Sequence, residues 1–527
     1  MKKQFIITKL LLVFCLGCLL LGSCTKRLDE LATDPNNPSL DNPSVAQGAA
    51  GALFSSAISR GLMTAFEHQR AQALYGDLYG QHFATSAVYF PTDRYGINEN
   101  WLNAGLQLFY PRDIGNLVAI INSPLATANQ KNIARIWKVF LFHRYVDYYG
   151  DLPYFNVLDI TKPEVYDAQK DIYYDFFKEL KEASAALDLT IKQSYDIKDV
   201  IYGTLANETL AWKKFANTLR LRLALRVSIK DPAKAKIEAE EAVVAGVFTD
   251  NADNAFARVS AILPNALNQI SGFGEFRMSA ASESILVGYK DPRLKELFSP
   301  AVGGAGVNAP YTGVYNGIVN GLNPSDFSLP ENKNDNNSNL GPRFSKANEA
   351  TNPRIVLTYA ETCFLLSEAQ LNGWNVGTGT AQDWYNKGLE ASIKQYNIND
   401  AAIITAFKNN MTDLPVIPVG AARAVTTLPV KFSSVVAEQR EQIGTQKWVA
   451  VYPDGFEAWA EYRRTGFPKL YAPANYEPGT TVLAGQLVQR IPYTGYLRSL
   501  NPSEVTKAET RMGGAGQNIK LWFAGGN

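Results

Sequence analysis

The sequence predicts a mostly α-helical protein in which tetratricopeptide-like helix pairs form a scaffold for long irregular ligand-binding loops. Three observations predict it. Apolar residues recur at helical spacing over long stretches, few segments keep the period of two that a half-buried strand needs, and the helical stretches come in pairs. Ile133, Ile136, Trp137, Phe140 and Leu141 mark one helical face, and Leu205, Trp212, Phe215, Leu219, Leu223 and Val227 mark another.

The pairing is read from spacing. Trp212, Phe215, Ala216 and Leu219 are placed as in the first helix of a tetratricopeptide unit, and Ala235, Ala239 and Ala242 as in the second, where small side chains let two helices approach. Leu366-Ser367-Glu368-Ala369 leads across a Gly-rich loop into Ala381, Tyr385, Gly388 and Leu389, a second pair. The segments around Trp137 and from Tyr173 to Leu187 give a third. Between the pairs lie Tyr89 to Trp101, Gly303 to Gly321 and Asn323 to Arg343, which a repeat scaffold does not require. The last contains Glu331-Asn332-Lys333-Asn334-Asp335-Asn336-Asn337-Ser338-Asn339, read as a solvated surface loop; a calcium loop would need Glu where Arg343 stands.

The N-terminus has its own logic. Lys2, Lys3 and Lys9 precede an apolar run from Leu10 to Leu21, and Leu21-Gly22-Ser23-Cys24 closes it, which is the order of a removable export signal. The run is too short for a spanning helix, which needs about 20 apolar residues. Leu-Gly-Ser-Cys resembles the bacterial lipobox, which implies cleavage before Cys24 and acylation of its thiol. Acyl chains hold a protein to a membrane at about 0.8 kcal/mol per buried CH₂. The expected organisation is a signal over 1–23, a lipidated N-terminus and extended tether over 24–43, rich in turn formers such as Asp34-Pro35-Asn36-Asn37-Pro38, and a single helical domain over 44–527.

Composition excludes several function classes. Loss of Lys2, Lys3 and Lys9 with the signal leaves 48 basic against 50 acidic groups, a net charge of −2, so the basic footprint of a nucleic-acid binder is missing. Cys15 and Cys18 leave with the signal and Cys24 is acylated. Cys363 then stands alone and reads as a small buried hydrophobe rather than a reactive thiol. The sequence has no GxxxxGK[ST] loop, HExxH, GxSxG or Rossmann fingerprint. Only His68, His82 and His143 are present, none with metal-ligand spacing, so no metal or cofactor is expected. Paired carboxylates for glycoside hydrolysis stay open, because sequence does not reveal the distance between two acids.

Several segments, in order, carry a resemblance. Tyr148-Tyr149-Gly150-Asp151-Leu152-Pro153-Tyr154 follows the Trp137 helix, and Leu221-Arg222-Leu223-Ala224-Leu225-Arg226 ends the Trp212 helix. Then come Asp291-Pro292-Arg293-Leu294, Leu366-Ser367-Glu368-Ala369, Gln446-Lys447-Trp448-Val449-Ala450, the run from Gly455 through Glu461-Tyr462-Arg463-Arg464-Thr465-Gly466 to Pro468, and Arg490-Ile491-Pro492-Tyr493. Together they resemble the SusD/RagB family of Bacteroidetes outer-membrane lipoproteins. The resemblance implies a lipid-anchored, outward-facing, non-enzymatic protein that captures a glycan or oligosaccharide, or in some members a peptide, for a SusC-like TonB-dependent transporter. The alternative is a surface-anchored glycoside hydrolase or peptidase. The motif residues themselves read as structural: Arg222, Arg226, Arg463 and Arg464 as buttresses of helix packing, Trp448 and Trp459 as core.

A glycan needs flat apolar faces for its C–H groups and polar groups for its hydroxyls. Tyr89 to Trp101 supplies both, and the resemblance places ligand contacts in a loop of about this region. Tyr95 and Trp101 are expected as stacking platforms, with Arg94, Asn98 and Asn100 as hydrogen-bonding partners; Trp101 as the buried start of the next helix is the competing reading. Tyr311 and Tyr315, flanking Gly313, form a second candidate.

Overall fold

In the computed structural model the described residues are 43–159 and 161–527. The export signal, Cys24 and the tether up to residue 42 lie outside them. Ten principal helices carry the fold: α1 Pro43–Gly61, α2 Glu99–Leu108, α3 Ala128–Tyr149, α4 Gln169–Ala185, α5 Glu208–Val227, α6 Pro232–Ala245, α7 Tyr359–Leu371, α8 Ala381–Lys394, α9 Val436–Ala450 and α10 Gly455–Thr465.

Their ends are set by local chemistry. Thr127 and Gln130 form a capping box at the start of α3, and Asn207 accepts the Leu210 N–H at 3.1 Å to start α5. Asp231 accepts the Lys234 N–H at 2.9 Å, and Pro232 follows it as the first residue of α6, where its missing N–H costs nothing. The expected faces of α3 and α5 are buried, with one exception. Leu205 lies in the turn before α5 and is exposed, because Asn207 begins the helix after it.

The predicted pairs form: α3 packs on α4, α5 on α6, and α7 on α8. Ala235, Ala239 and Ala242 are fully buried against α5. Gly388 of α8 is required because a Cβ there would sit 2.8 Å from the Phe364 ring. The structure adds a fourth pair, α9 on α10. Helices α5, α7 and α9 pack in succession, and α10 returns against α3.

What joins the pairs is a buried charge cluster. Arg222 of α5 meets Glu361 of α7 through two bonds of 2.7 and 2.5 Å. Arg226 reaches Glu457 at 2.5 Å and Glu461 at 3.1 Å on α10, with Asp147 of α3 at 3.6 Å. Lys447 of α9 lies 3.0 Å from both Glu457 and Glu461, and Arg464 clasps Glu368 and Glu461 at 2.6 and 2.7 Å. Burial pushes the Glu457 carboxyl up, but Arg222, Arg226 and Lys447 together hold it down at about 2. Arg463 lies 3.6 Å over the Trp459 ring and donates to the Asp147 carbonyl at 2.6 Å. Trp448 and Trp459 are core, donating their indole N–H groups to the Gly80 and Val488 carbonyls. Cys363 is buried too, and burial pushes its thiol up to about 12.

Opposite this scaffold the chain forms turns and two short antiparallel ribbons: β1 Phe83–Thr85 with β3 Phe276–Met278, and β2 Ala255–Ala257 with β4 Arg354–Leu357. Ala84, Ile318 and Leu322 make a small apolar cluster of their own beside the first ribbon.

Candidate ligand-binding face

The three segments that the scaffold does not require meet around the β1–β3 ribbon. Backbone bonds of 2.9 Å run from the Met278 N–H to the Ser338 carbonyl and from the Ile318 N–H to the Met278 carbonyl. Asn320 donates its side-chain amide to the Phe83 carbonyl at 3.0 Å and to Asp93 at 2.7 Å. Arg94 donates to the Leu322 carbonyl at 3.0 Å. Residues from 83–95, 276–280, 316–322 and 338 are therefore one hydrogen-bonded unit.

Within it the expected ligand contacts separate. Tyr95 is 3% exposed, its ring edge-on to Tyr79 at 5.4 Å and to Tyr476 at 5.8 Å, and burial pushes its phenol well above the usual value. It offers no open face for stacking. Arg94 is buried, its Nε 2.8 Å from Glu477, so the guanidinium fastens the loop rather than meeting solvent. Asn98 caps α2 by accepting the Trp101 N–H at 3.3 Å. The physical reason is shared: after the 3₁₀ turn Thr92–Arg94 the backbone at Tyr95 turns left-handed, with φ 65°, and folds its side chains inward. Trp101 lies in the first turn of α2, half-buried and edge-on to Phe90 at 5.5 Å. Asn100 is exposed, and Tyr311 and Tyr315 are half-buried on either side of the Gly313 turn.

Three other aromatic residues stand out on the same side. Tyr89 and Phe66 are each 62% exposed and Phe273 is 44% exposed. All three are tied to the neighbourhood of Glu275. The Tyr89 hydroxyl donates to one Glu275 oxygen, and the Gln69 side-chain amide donates to the other at 2.5 Å. The Phe66 and Phe273 rings stack at 6.2 Å with planes 24° apart, and Arg70 lies 6.0 Å from the Phe66 ring. Ser86 donates to Asn334 at 2.6 Å at the edge of this group. Burial and the Glu275 carboxylate push the Tyr89 phenol up to about 12, so it is a neutral donor at any ordinary pH.

Exposed rings flanked by amide, hydroxyl and carboxylate groups suit the amphipathic faces of a sugar. Tyr89 opens the Tyr89 to Trp101 segment that a repeat scaffold does not require. Phe66 and Phe273 carry no such mark, since isolated apolar residues beside turns are common and only the fold brings them to Glu275. On the scaffold side a cavity of about 550 Å³ is lined by Trp374, Ile443, Phe467, Arg440, Lys447 and Glu461. Lys447 and Glu461 there are already paired with each other.

Among the described residues no helix is long and apolar enough to cross a membrane. No curated protein matches the chain. The family described as SusD-like, SusD and RagB outer membrane lipoprotein, matches residues 33–524. A chitin-binding SusD homologue from Flavobacterium johnsoniae is similar in structure, with a TM-score of 0.80 and 28% identity over 91% of this chain and 98% of its own. A SusD homologue from Bacteroides vulgatus gives a TM-score of 0.80 and 28% identity over 90% and 97%, and one from Bacteroides uniformis 0.78 and 27% over 90% and 99%. The order of motifs, the paired helices and the match over nearly the whole chain agree, and this protein belongs to the SusD-like family of outer-membrane lipoproteins.

Proposed function

We propose that this protein is a non-catalytic capture lipoprotein, anchored in the outer membrane through Cys24 and facing outward, that binds a glycan and hands it to a SusC-like TonB-dependent transporter. The observation that carries the reading is the exposed aromatic group of Tyr89, Phe66 and Phe273 around Glu275. Sugar C–H faces stack on these rings, and Gln69, Glu275, Ser86 and Asn334 meet hydroxyls. Trp101, Asn100, Tyr311 and Tyr315 extend the contact surface. Tyr95, Arg94 and Asn98 hold the loop in place beneath it. Both Glu275 oxygens are engaged by neighbours, which suits hydrogen bonding better than proton donation to a leaving group.

The Flavobacterium johnsoniae homologue is described as chitin-binding, so chitooligosaccharides are the first ligands to try. Titration of the soluble domain lacking Cys24 should show binding without product. Tyr89→Ala and Phe273→Ala should each weaken it about tenfold, the loss of about 1.4 kcal/mol that one stacking contact supplies. Release of new reducing ends would establish the hydrolase reading instead.

A further inference from the structure

A small, half-open pocket of about 60 Å³ lies where the helical scaffold meets the ligand face. Its polar lining is His68, Gln72, Arg144, Asn265, Arg354 and Asp454. Arg144 comes from α3, Arg354 from β4, and His68 and Gln72 from the helical stretch that begins at Ala65. That stretch also carries Phe66 and Gln69 of the ligand face.

The charges around the cavity are unbalanced. Arg144 is buried, donates to Gln72 at 2.9 Å and lies 4.0 Å over the Phe456 ring. Arg354 donates to the carbonyls of Leu62, Met63 and Pro264 at 2.6 to 2.7 Å. Among the described residues neither guanidinium has a carboxylate within 4.0 Å. Of the acids nearby, Glu67 is paired with Arg112 at 2.7 Å, and Asp454 and Asp77 reach neither guanidinium. Asp454 spends one oxygen capping α10, on the Phe456 and Glu457 N–H groups. Burial pushes Asp77 up to about 7 and, with the fields of Arg354 and Arg144, holds His68 down at about 3. Arg354 is itself lowered to about 10, by burial first and then by the field of Arg144.

Arg144 Nε, His68 Nε2 and Asp77 Oδ2 are all buried without a hydrogen-bond partner in the protein. Asp77 Oδ2 is 3.7 Å from His68 Nε2, too far to bond. A buried donor left unpaired costs about 1–3 kcal/mol, and native proteins satisfy nearly all of them. A cavity needs only about 10–15 Å³ of such volume for one water-sized occupant, so this one has room.

We propose that this pocket binds a small monovalent inorganic anion of chloride size, held between Arg144 and Arg354 and receiving hydrogen bonds from Arg144 Nε and from His68 in its Nε2–H tautomer. The anion neutralises the excess positive charge and satisfies both orphaned donors at once. It also ties α3 and β4 to the stretch that carries Phe66 and Gln69, so halide occupancy steadies the base of the ligand face. Such a site belongs to the protein's own architecture, whichever nutrient is captured.

The direct experiment is diffraction from crystals of the soluble domain grown in sodium bromide, recorded at the bromine absorption edge. An anomalous peak in the cavity, within hydrogen-bond reach of Arg144 and Arg354, is expected; water alone there, with bromide peaks confined to the surface, overturns the proposal. Thermal unfolding of the same protein at matched ionic strength gives a second reading. The melting temperature should be higher in chloride than in gluconate, which is too large to enter, by about 1–2 °C, and Arg354→Gln should abolish the difference. Equal melting temperatures in the two salts overturn it.

Discussion

The helical scaffold and the ligand face both bury charge, and they do so in opposite ways. In the scaffold, the buried Glu361, Glu457 and Glu461 each touch at least one arginine or lysine; these cations hold the Glu457 carboxyl at about 2 and Glu461 well below its ordinary value, while burial leaves Glu361 raised. On the ligand face the buried acids meet neutral donors: Asp93 is bonded by the Asn320 amide, and Glu283 by the Gly317 N–H at 2.7 Å. Burial pushes Asp93 up to about 6 and Glu283 up to about 7. A matched ionic cluster fixes helix register but leaves no charge to offer a ligand. Turns held by amides leave their side chains free to present rings and hydroxyls.

The largest effect should follow from breaking the scaffold cluster. Arg226→Met leaves Glu457 and Glu461 short of a cation in a buried site, and urea unfolding should show a loss of about 3–5 kcal/mol. A loss below about 1 kcal/mol would mean that the cluster does not join the helix pairs. Gly388→Ala should cost less, about 1–3 kcal/mol, because the new methyl meets the Phe364 ring with little room to shift.

These positions explain what was legible in the sequence and what was not. The motif segments carry the resemblance, and their charged residues Arg222, Arg226, Lys447, Glu457, Glu461 and Arg464 form the buried ionic cluster. Faces of α3 and α5 were readable because they are buried along their whole length and capped by standard residues. The α9–α10 pair is not legible in the sequence because Lys447, Glu457 and Glu461 point inward where polar residues are not expected. Tyr95 could not be placed either. An aromatic residue in a loop reads as exposed unless the left-handed turn that folds it inward is known.

The two regions should also part company with pH. Glu457 has a folded value below its ordinary 4.5, so its contribution is complete above about 4.5 and is lost as pH falls toward 2. Asp93 and Glu283 are raised above their ordinary 3.8 and 4.5, so their contribution is complete below those values and is lost as pH rises through about 6 to 7. Hydrogen exchange should therefore loosen residues 83–95 and 316–321 between about pH 4 and 7 while α10, whose Glu457 and Glu461 are both held low, stays protected. Uniform change across both regions would contradict the contrast.

Trp101→Ala sharpens the boundary between them. The ring is half-buried against Phe90, so truncation should lower stability by about 1–2 kcal/mol as well as weakening ligand binding. A fully stable variant that lost all binding would make Trp101 a pure contact residue.

The most direct test of the central claim is calorimetric titration of the soluble domain with chitooligosaccharides and a wider glycan panel, comparing the native protein with Tyr89→Ala and Tyr95→Phe. The account predicts binding of one glycan class without product, about tenfold weaker in Tyr89→Ala and unchanged in Tyr95→Phe. Binding that ignored Tyr89, or that depended on the buried Tyr95 hydroxyl, would contradict it.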